Sequence, residues 1–336
     1  MESMEMAAPT SLSRLAIFRK TGAFQKLLAF ASLILLIVVF SASSPNFFKF
    51  DNIVGILLAT AVTGVLALGS TFVIITGGID LAVGTVMTFS SVIAGVIITF
   101  GSGSIVLGIA GAVAAGALCG AASGFAVSRM NIPPFIATLA VMMMTKGLSL
   151  VISGTKPIYF VDTPDFAKIA LGTSIEAIIP GFAIPNAVFI FFGMAIIASL
   201  LLSKTIVGRY NFALGSNEEA ARLSGINVRR WKIVIYTITG AFSGVAGILM
   251  ASRLNSAQPA LGQGYELEAI AAVVIGGTSL SGGRGSILGT VIGALIMSVL
   301  TNGLRILSVP QEWQTVIIGG VVLLAVYADM IRRRNA

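Results

Sequence analysis

KTIVGRYNFALGSNEEAARLSGINVRRWK, residues Lys204–Lys232, interrupts an otherwise apolar chain with charge and turn-forming residues. Ser216 followed three residues later by Glu219 has the form of a capping box. Gly225 suits the left-handed position just past a helix end, so a helix of about two turns is expected between them. A helix that short does not stand alone in water. On a basic loop of a membrane protein it is a natural docking surface for a soluble partner.

The rest of the chain supplies the membrane context. Of 336 residues, 56% are hydrophobic, 10% are charged and 38 are glycine. The mean hydropathy is +1.00. Soluble domains carry about 25% charged residues, so composition alone marks an integral membrane protein, and the net charge of +8 is no argument for nucleic acid. The chain has no histidine, which removes the usual metal ligand and neutral-pH proton relay. Cys119 is the single cysteine, so no intramolecular disulfide forms; it reads as a small packing residue.

Ten apolar segments follow in order, at about 27–43, 53–75, 81–100, 104–127, 134–153, 186–203, 231–252, 267–280, 286–307 and 313–329. Most approach the roughly 20 residues that cross a bilayer as helix. The eighth is short and Gly-interrupted, which suggests a re-entrant or broken helix. Residues 1–26, with Arg14, Arg19, Lys20 and Lys26, read as a polar cytoplasmic segment ahead of an uncleaved first span, because the run after Lys26 is of span length. With the N-terminus inside, fifteen of the 21 basic residues fall on the cytoplasmic side, among them Arg129, Lys204, Arg209, Arg222, Arg229, Arg230, Lys232, Arg284 and the basic tail at 331–336. The positive-inside rule then supports ten spans in one domain, 27–330, with both termini cytoplasmic. Eight spans, with segments three and eight as half-helices, keep the same orientation.

In this topology residues 154–185 form the longest outside loop, in which Ile169–Ile179 is a candidate surface helix; the loop is either a binding surface or a tether between two spans. Gly108, Gly111, Gly116, Gly120 and Gly124 give the fourth segment a smooth face for helix packing. A weak internal echo links Thr76-Gly-Gly-Ile-Asp80-Leu-Ala-Val-Gly-Thr85 with Ile275-Gly-Gly-Thr-Ser279-Leu-Ser-Gly-Gly283, each following an apolar run, as in duplicated transporter architectures.

Few residues carry chemistry inside this frame. Asp80 is the only acid closely bounded by apolar spans, and it reads as the N-terminal cap of the following helix or as a gating residue. Lys146 falls within a span, where an ammonium snorkels outward, faces a wet cavity or pairs. Asn255, Gln258, Gln263 and Glu266 suit the hydroxyls of a sugar in an outer vestibule, or ordinary interfacial capping. Trp231 and Trp313 sit at span ends, where anchoring at the interface is the default. The chain has no G-x-x-x-x-G-K-[ST] sequence; Gly282-Gly-Arg-Gly285 lacks the required Lys and Ser/Thr. If ATP drives this protein, another chain binds it. No hydrolase constellation exists either.

Glu219-Ala-Ala-x-x-x-Gly225 resembles the EAA-x3-G signature of bacterial ABC importer permeases, the loop that docks the ATPase subunit. Ile235 matches the Ile of the longer signature, while Tyr236-Thr237-Ile238 stands where a Leu-Pro is expected, a departure from the maltose-type permeases. Asn217-Glu-Glu-Ala-Ala-Arg-Leu-Ser-Gly-Ile-Asn227, Arg253-Leu-Asn-Ser-Ala-Gln-Pro259, Gly264-Tyr-Glu-Leu-Glu-Ala-Ile-Ala-Ala-Val-Val-Ile-Gly-Gly-Thr278 and Gly77-Gly-Ile-Asp-Leu-Ala-Val-Gly84 resemble the ribose-type monosaccharide permeases over roughly residues 45–330.

That resemblance implies an all-α permease of the type II importer fold in a bacterial inner membrane. It implies two permease copies, identical or related, a cytoplasmic ATPase pair that uses ATP and Mg²⁺, and a periplasmic sugar-binding protein, with no cofactor on this chain. Ser216, Asn217, Glu218, Glu219, Ala220, Ala221, Arg222 and Gly225 are the implied ATPase-coupling residues. Ribose is the favoured cargo; xylose, inositol or an autoinducer-like furanose are alternatives within the same machine. An ion-coupled secondary transporter, and after it a membrane scaffold, are the readings from other classes.

Overall fold

The computed structural model describes residues 22–101, 103–176 and 179–334. Arg14, Arg19 and Lys20 therefore lie outside the described residues. Each of the ten apolar segments becomes a helix: α1 Gly22–Ser43, α2 Phe50–Ile75, α3 Val83–Gly95, α4 Ile105–Ser128, α5 Pro134–Ser153, then after a short α6, Lys168–Leu171, α7 Asn186–Lys204. Two short helices, α8 Ile206–Ser216 and α9 Glu218–Leu223, lead into α10 Val228–Leu254, α11 Tyr265–Ile275, α12 Ile287–Ile306 and α13 Gln311–Arg334. The last helix runs through Arg332–Arg334, so the expected basic tail begins inside it.

Ten helices are not ten full spans. Seven of them, counting α3 with the π-helical turn Val96–Gly101 that prolongs it, are long and apolar enough to cross a membrane. The apolar parts of α1 and α13 are shorter, Leu27–Ser43 and Gln311–Tyr327. With 11 residues, α11 is about 16 Å long and reaches roughly half-way through a bilayer. The third segment is a full 19 residues, which removes it as a half-helix.

The central helix is α2, buried without interruption from Thr60 to Ile75. Around it stand α7, α10, α11 and α12. The tightest pair is α4 with α10. A Cβ at Gly116 would strike the Gly240 carbonyl and one at Gly240 the Gly116 carbonyl, so the two backbones meet with no room for a side chain. Hydroxyls stitch the layers where no water competes: Thr71 to Thr290 at 2.7 Å, Thr239 to the Gly69 carbonyl at 2.9 Å, Thr145 to Thr85 at 2.8 Å.

At the opposite end from the charged loop, two short strands pair antiparallel, β1 Ile158–Tyr159 with β2 Ser256–Ala257. They pin the long 154–185 segment to the end of α10. Among the described residues of that segment only Lys168–Leu171 is α-helical, with a 3-10 turn Pro164–Phe166 before it. The expected helix Ile169–Ile179 gives way to a turn at Thr173–Glu176, where the Thr173 hydroxyl donates to Glu176 at 2.8 Å; residues 177–178 lie outside the described residues.

Candidate functional site

The short helix of the charged loop exists, with a different cap. Its N-cap is Asn217, whose side-chain oxygen accepts the Ala220 N–H at 2.9 Å. Ser216 is instead the last residue of α8. Glu219, free of any capping box, pairs with Arg222 one turn on. That hydrogen bond holds the Glu219 carboxyl below its ordinary range and raises Arg222. Glu218 reaches Lys232 at 2.8 Å, tying α9 to the start of α10. At the far end Gly225 has φ +84°. The Gly225 N–H donates to the Arg222 carbonyl and the Ile226 N–H to the Ala221 carbonyl, both at 3.1 Å, the paired bonds of a Schellman ending.

One face of α9 is committed inward through Ala221, which is buried, while Asn217–Ala220 and Arg222–Gly225 are exposed. Leu223 is 78% exposed. A large apolar side chain held out on a capped helix beside an ion pair is the composition of a binding anchor with a polar rim. Trp231, expected as a membrane anchor, packs edge-on against Tyr210 at 4.9 Å and so braces α8 on α10.

Behind this helix lies a three-way junction that the sequence reading did not find. A Cβ at Gly215, at the end of α8, would strike the Ile75 carbonyl at the end of α2. The same carbonyl accepts the Gly283 N–H at 2.9 Å. The Gly-rich loop 282–285, which lacks the residues of a phosphate loop, is therefore packed against the end of α8 and the end of the central helix.

The two echo segments are the partners in that junction. Gly77 donates to Ile74 and Gly78 to Val73 at the end of α2; Gly277 donates to Val274 and Thr278 to Val273 at the end of α11. Gly77 and Gly277 are left-handed, at φ +79° and +90°. The structural equivalence thus aligns Gly77 with Gly277, one residue off the alignment that the Gly-Gly pairs suggest.

Deeper in the chain the candidate path residues separate into two groups. Lys146, thirteenth of the 20 residues in α5, donates to the side-chain oxygen of Gln263 at 2.9 Å. With Thr85, Thr88, Pro259, Ala260 and Gly262 they line a cavity of about 10 Å³, room for about one water. Glu266 is 7% exposed beside it, both carboxylate oxygens accepting the Gly264 N–H at 3.0 and 3.1 Å. Asn255 and Gln258 stand apart. Asn255 ends α10 in the left-handed conformation, and Gln258 donates to the Ser256 hydroxyl at 3.0 Å.

Asp80 is 5% exposed in the turn between α2 and α3. Its Oδ1 accepts the Ala82 N–H at 2.8 Å, two residues on. Ala82 is itself the N-cap of α3, with no side-chain cap, so Asp80 shapes the turn before the helix and does not cap it. Among the described residues no group of three or more His, Cys, Asp or Glu side chains is placed to hold a metal.

The family model described as branched-chain amino acid transport system / permease component matches residues 52–326. The ribose import permease protein RbsC of Escherichia coli K12 is 42% identical over 301 residues, covering 89% of this chain and 91% of the relative. The Bacillus subtilis ribose import permease is also 42% identical, over 94% of this chain and 95% of its own. An L-arabinose ABC transporter permease of Azospirillum brasilense is 34% identical over 98% and 96%. No solved structure matches the chain. The chain belongs to this permease family and is a multi-pass membrane protein.

Proposed function

We propose that this member of the branched-chain amino acid transport system / permease component family is the membrane subunit of an ATP-driven, binding-protein-dependent importer of a monosaccharide, with ribose as its cargo. Relatives at 42% identity carry the ribose name, while the arabinose relative stands at 34%. In this reading residues 27–330 are one transmembrane domain in a bacterial inner membrane. The loop 204–232 faces the cytoplasm and 154–185 faces the periplasm. ATP and Mg²⁺ belong to a partner ATPase. A periplasmic sugar-binding protein delivers the cargo, and a second permease copy, the same or a related one, completes the path.

The observation that carries the reading is the capped helix α9, with Leu223 exposed, seated on the junction of Gly215, Ile75 and Gly283. Asn217, Glu218, Glu219, Ala220, Arg222 and Gly225 form its outer surface, with Ser216 at the preceding helix end and Ala221 as the buried contact. An ATPase that closes on ATP pushes this helix. Because Gly215 leaves no gap to Ile75, the push reaches α2 and the α11–α12 connection together, and alternating access follows from their tilt.

The test is reconstitution in proteoliposomes with the partner ATPase and a ribose-loaded binding protein. The chain alone hydrolyses no ATP. Glu219→Lys and Gly225→Asp abolish uptake while the protein remains in the membrane; normal uptake in both variants overturns the coupling assignment.

A further inference from the structure

The segment Gln258–Gly264 leaves the outer strand pair and descends into the helix bundle. Gly95 of α3 lies against Ile158 and Ala257 of the strands, whereas Gly84, eleven residues and about 16 Å lower on the same helix, lies against Gly262. The approach there is reciprocal. A Cβ at Gly84 would strike the Gly262 carbonyl, and a Cβ at Gly262 the Gly84 carbonyl. The descending arm is therefore pressed flush against the start of α3, and its far end is folded on itself by the Glu266 carboxylate on Gly264 N–H.

Among the described residues, one side-chain hydrogen bond ties the arm to α5. Gln263 accepts from the Lys146 ammonium, and the two residues are 117 positions apart in the chain. Gln263 is exposed and Lys146 half-buried, so neither group is locked in by packing. The donors around the cavity are hydroxyls, an amide and an ammonium: Thr85, Thr88, Gln263 and Lys146. They suit a neutral, hydroxyl-rich solute better than an apolar one. A monosaccharide nevertheless has ten or more heavy atoms, and the cavity has room for about one water. Between the arm, α3 and α5 the chain leaves no room for such a solute.

We infer that the Gln258–Gly264 arm closes the cargo path across α3 and α5, and that the Lys146–Gln263 hydrogen bond is the latch that keeps it closed. The inference rests on the importer reading above and names the residues that gate it. Both are positioning residues: they set the balance between shut and open arms and take no part in ATP chemistry. Opening breaks one hydrogen bond and exposes Thr85 and Thr88.

Strengthening and weakening the latch have opposite signatures. Gln263→Glu replaces the neutral acceptor of the ammonium by a carboxylate, turning an ion–amide hydrogen bond into an ion pair, so ribose uptake slows by about fivefold or more. Lys146→Met removes the donor, and ATP hydrolysis without binding protein rises by about fivefold. The exchanged pair Lys146→Gln with Gln263→Lys re-forms the ammonium–amide hydrogen bond with its partners swapped and restores both rates towards wild type. A structural reporter separates gating from misfolding. In a Cys119→Ala background, Thr88→Cys reacts with a small thiol reagent several-fold faster when Lys146 is Met than when it is Lys. The assembly used is the complete transporter with ribose-loaded binding protein, and membrane level is measured for each variant.

Wild-type uptake, wild-type basal hydrolysis and unchanged labelling in both single variants overturn the latch. The same holds if both variants slow uptake equally, leave labelling unchanged and are not restored by the exchange, because that pattern is general damage. Absence of ribose uptake by the wild-type assembly, with another sugar or none transported, overturns the ribose reading instead. The labelling difference between Lys and Met at position 146 is read on the chain whatever its cargo.

Discussion

Gly283 donates its backbone N–H to the Ile75 carbonyl over 2.9 Å, joining the loop after α11 to the end of the central helix. A helix-terminal carbonyl without an intrahelical partner is a good acceptor, and here the other echo segment supplies the donor. Gly215 covers the same carbonyl from α8. One atom thus collects the end of α8, the end of the central helix and the loop after α11, and so joins the charged loop to the bundle.

Gly215→Val tests that route. Its side chain meets backbone, which cannot rotate away, and overpacking of this kind costs about 1–3 kcal/mol. Ribose uptake by the reconstituted transporter is expected to fall at least tenfold, with the ATPase still co-purifying through α9. Uptake at the wild-type rate would show that the junction does not transmit the stroke.

The cap of α9 separates two readings of one loop. Asn217→Ala removes the acceptor for the Ala220 N–H and costs about 1 kcal/mol of helix stability, whereas Ser216→Ala removes nothing the short helix uses. Affinity for the ATPase, measured by titration in detergent, should fall several-fold for Asn217→Ala and stay unchanged for Ser216→Ala. The reverse order would restore the capping box that the Ser216 and Glu219 spacing suggests.

The cap also shows where sequence was and was not legible. Ser and Asn both cap helices, and the choice between adjacent ones depends on how far the preceding helix runs; α8 extends through Ser216 and removes it. The ten apolar segments were legible because bilayer thickness sets their length, and Gly225 because φ +84° excludes most other residues. The Lys146 partner was not, since nothing local marks a contact 117 positions away. Thr85 and Thr88 carried no signal either, threonine being common on packed membrane helices. Leu223 stood in plain view, but an apolar residue at a helix end reads as core until its exposure is known.

Glycine substitutions on neighbouring helices should differ sharply. A Cβ at Gly120 of α4 would strike the Tyr236 carbonyl of α10, while one at Gly147 of α5 meets nothing within 4 Å. Gly120→Val is expected to lower the melting temperature and the membrane level, at a cost of about 1–3 kcal/mol. Gly147→Ala should match wild type or gain the roughly 0.5–1 kcal/mol that alanine brings to a helix interior. Equal stability of the two variants in a thermal scan would mean that α4 and α10 do not pack backbone to backbone.

Asp80 decides between a turn and a transported charge. A carboxylate that must load and release an ion cannot be replaced by an amide, and ion-coupled secondary transport would need such a group inside the membrane. A turn-forming acceptor can, because Asn keeps the oxygen that receives the Ala82 N–H at 2.8 Å. Asp80→Asn should therefore retain most ribose uptake. Asp80→Leu leaves the buried N–H unpaired, at about 1–3 kcal/mol, and should lose both uptake and membrane level. Uptake is measured with and without a proton ionophore in the same vesicles. An inactive Asp80→Asn protein at normal membrane level, together with uptake that collapses on addition of the ionophore, would replace ATP-driven import by ion coupling through Asp80.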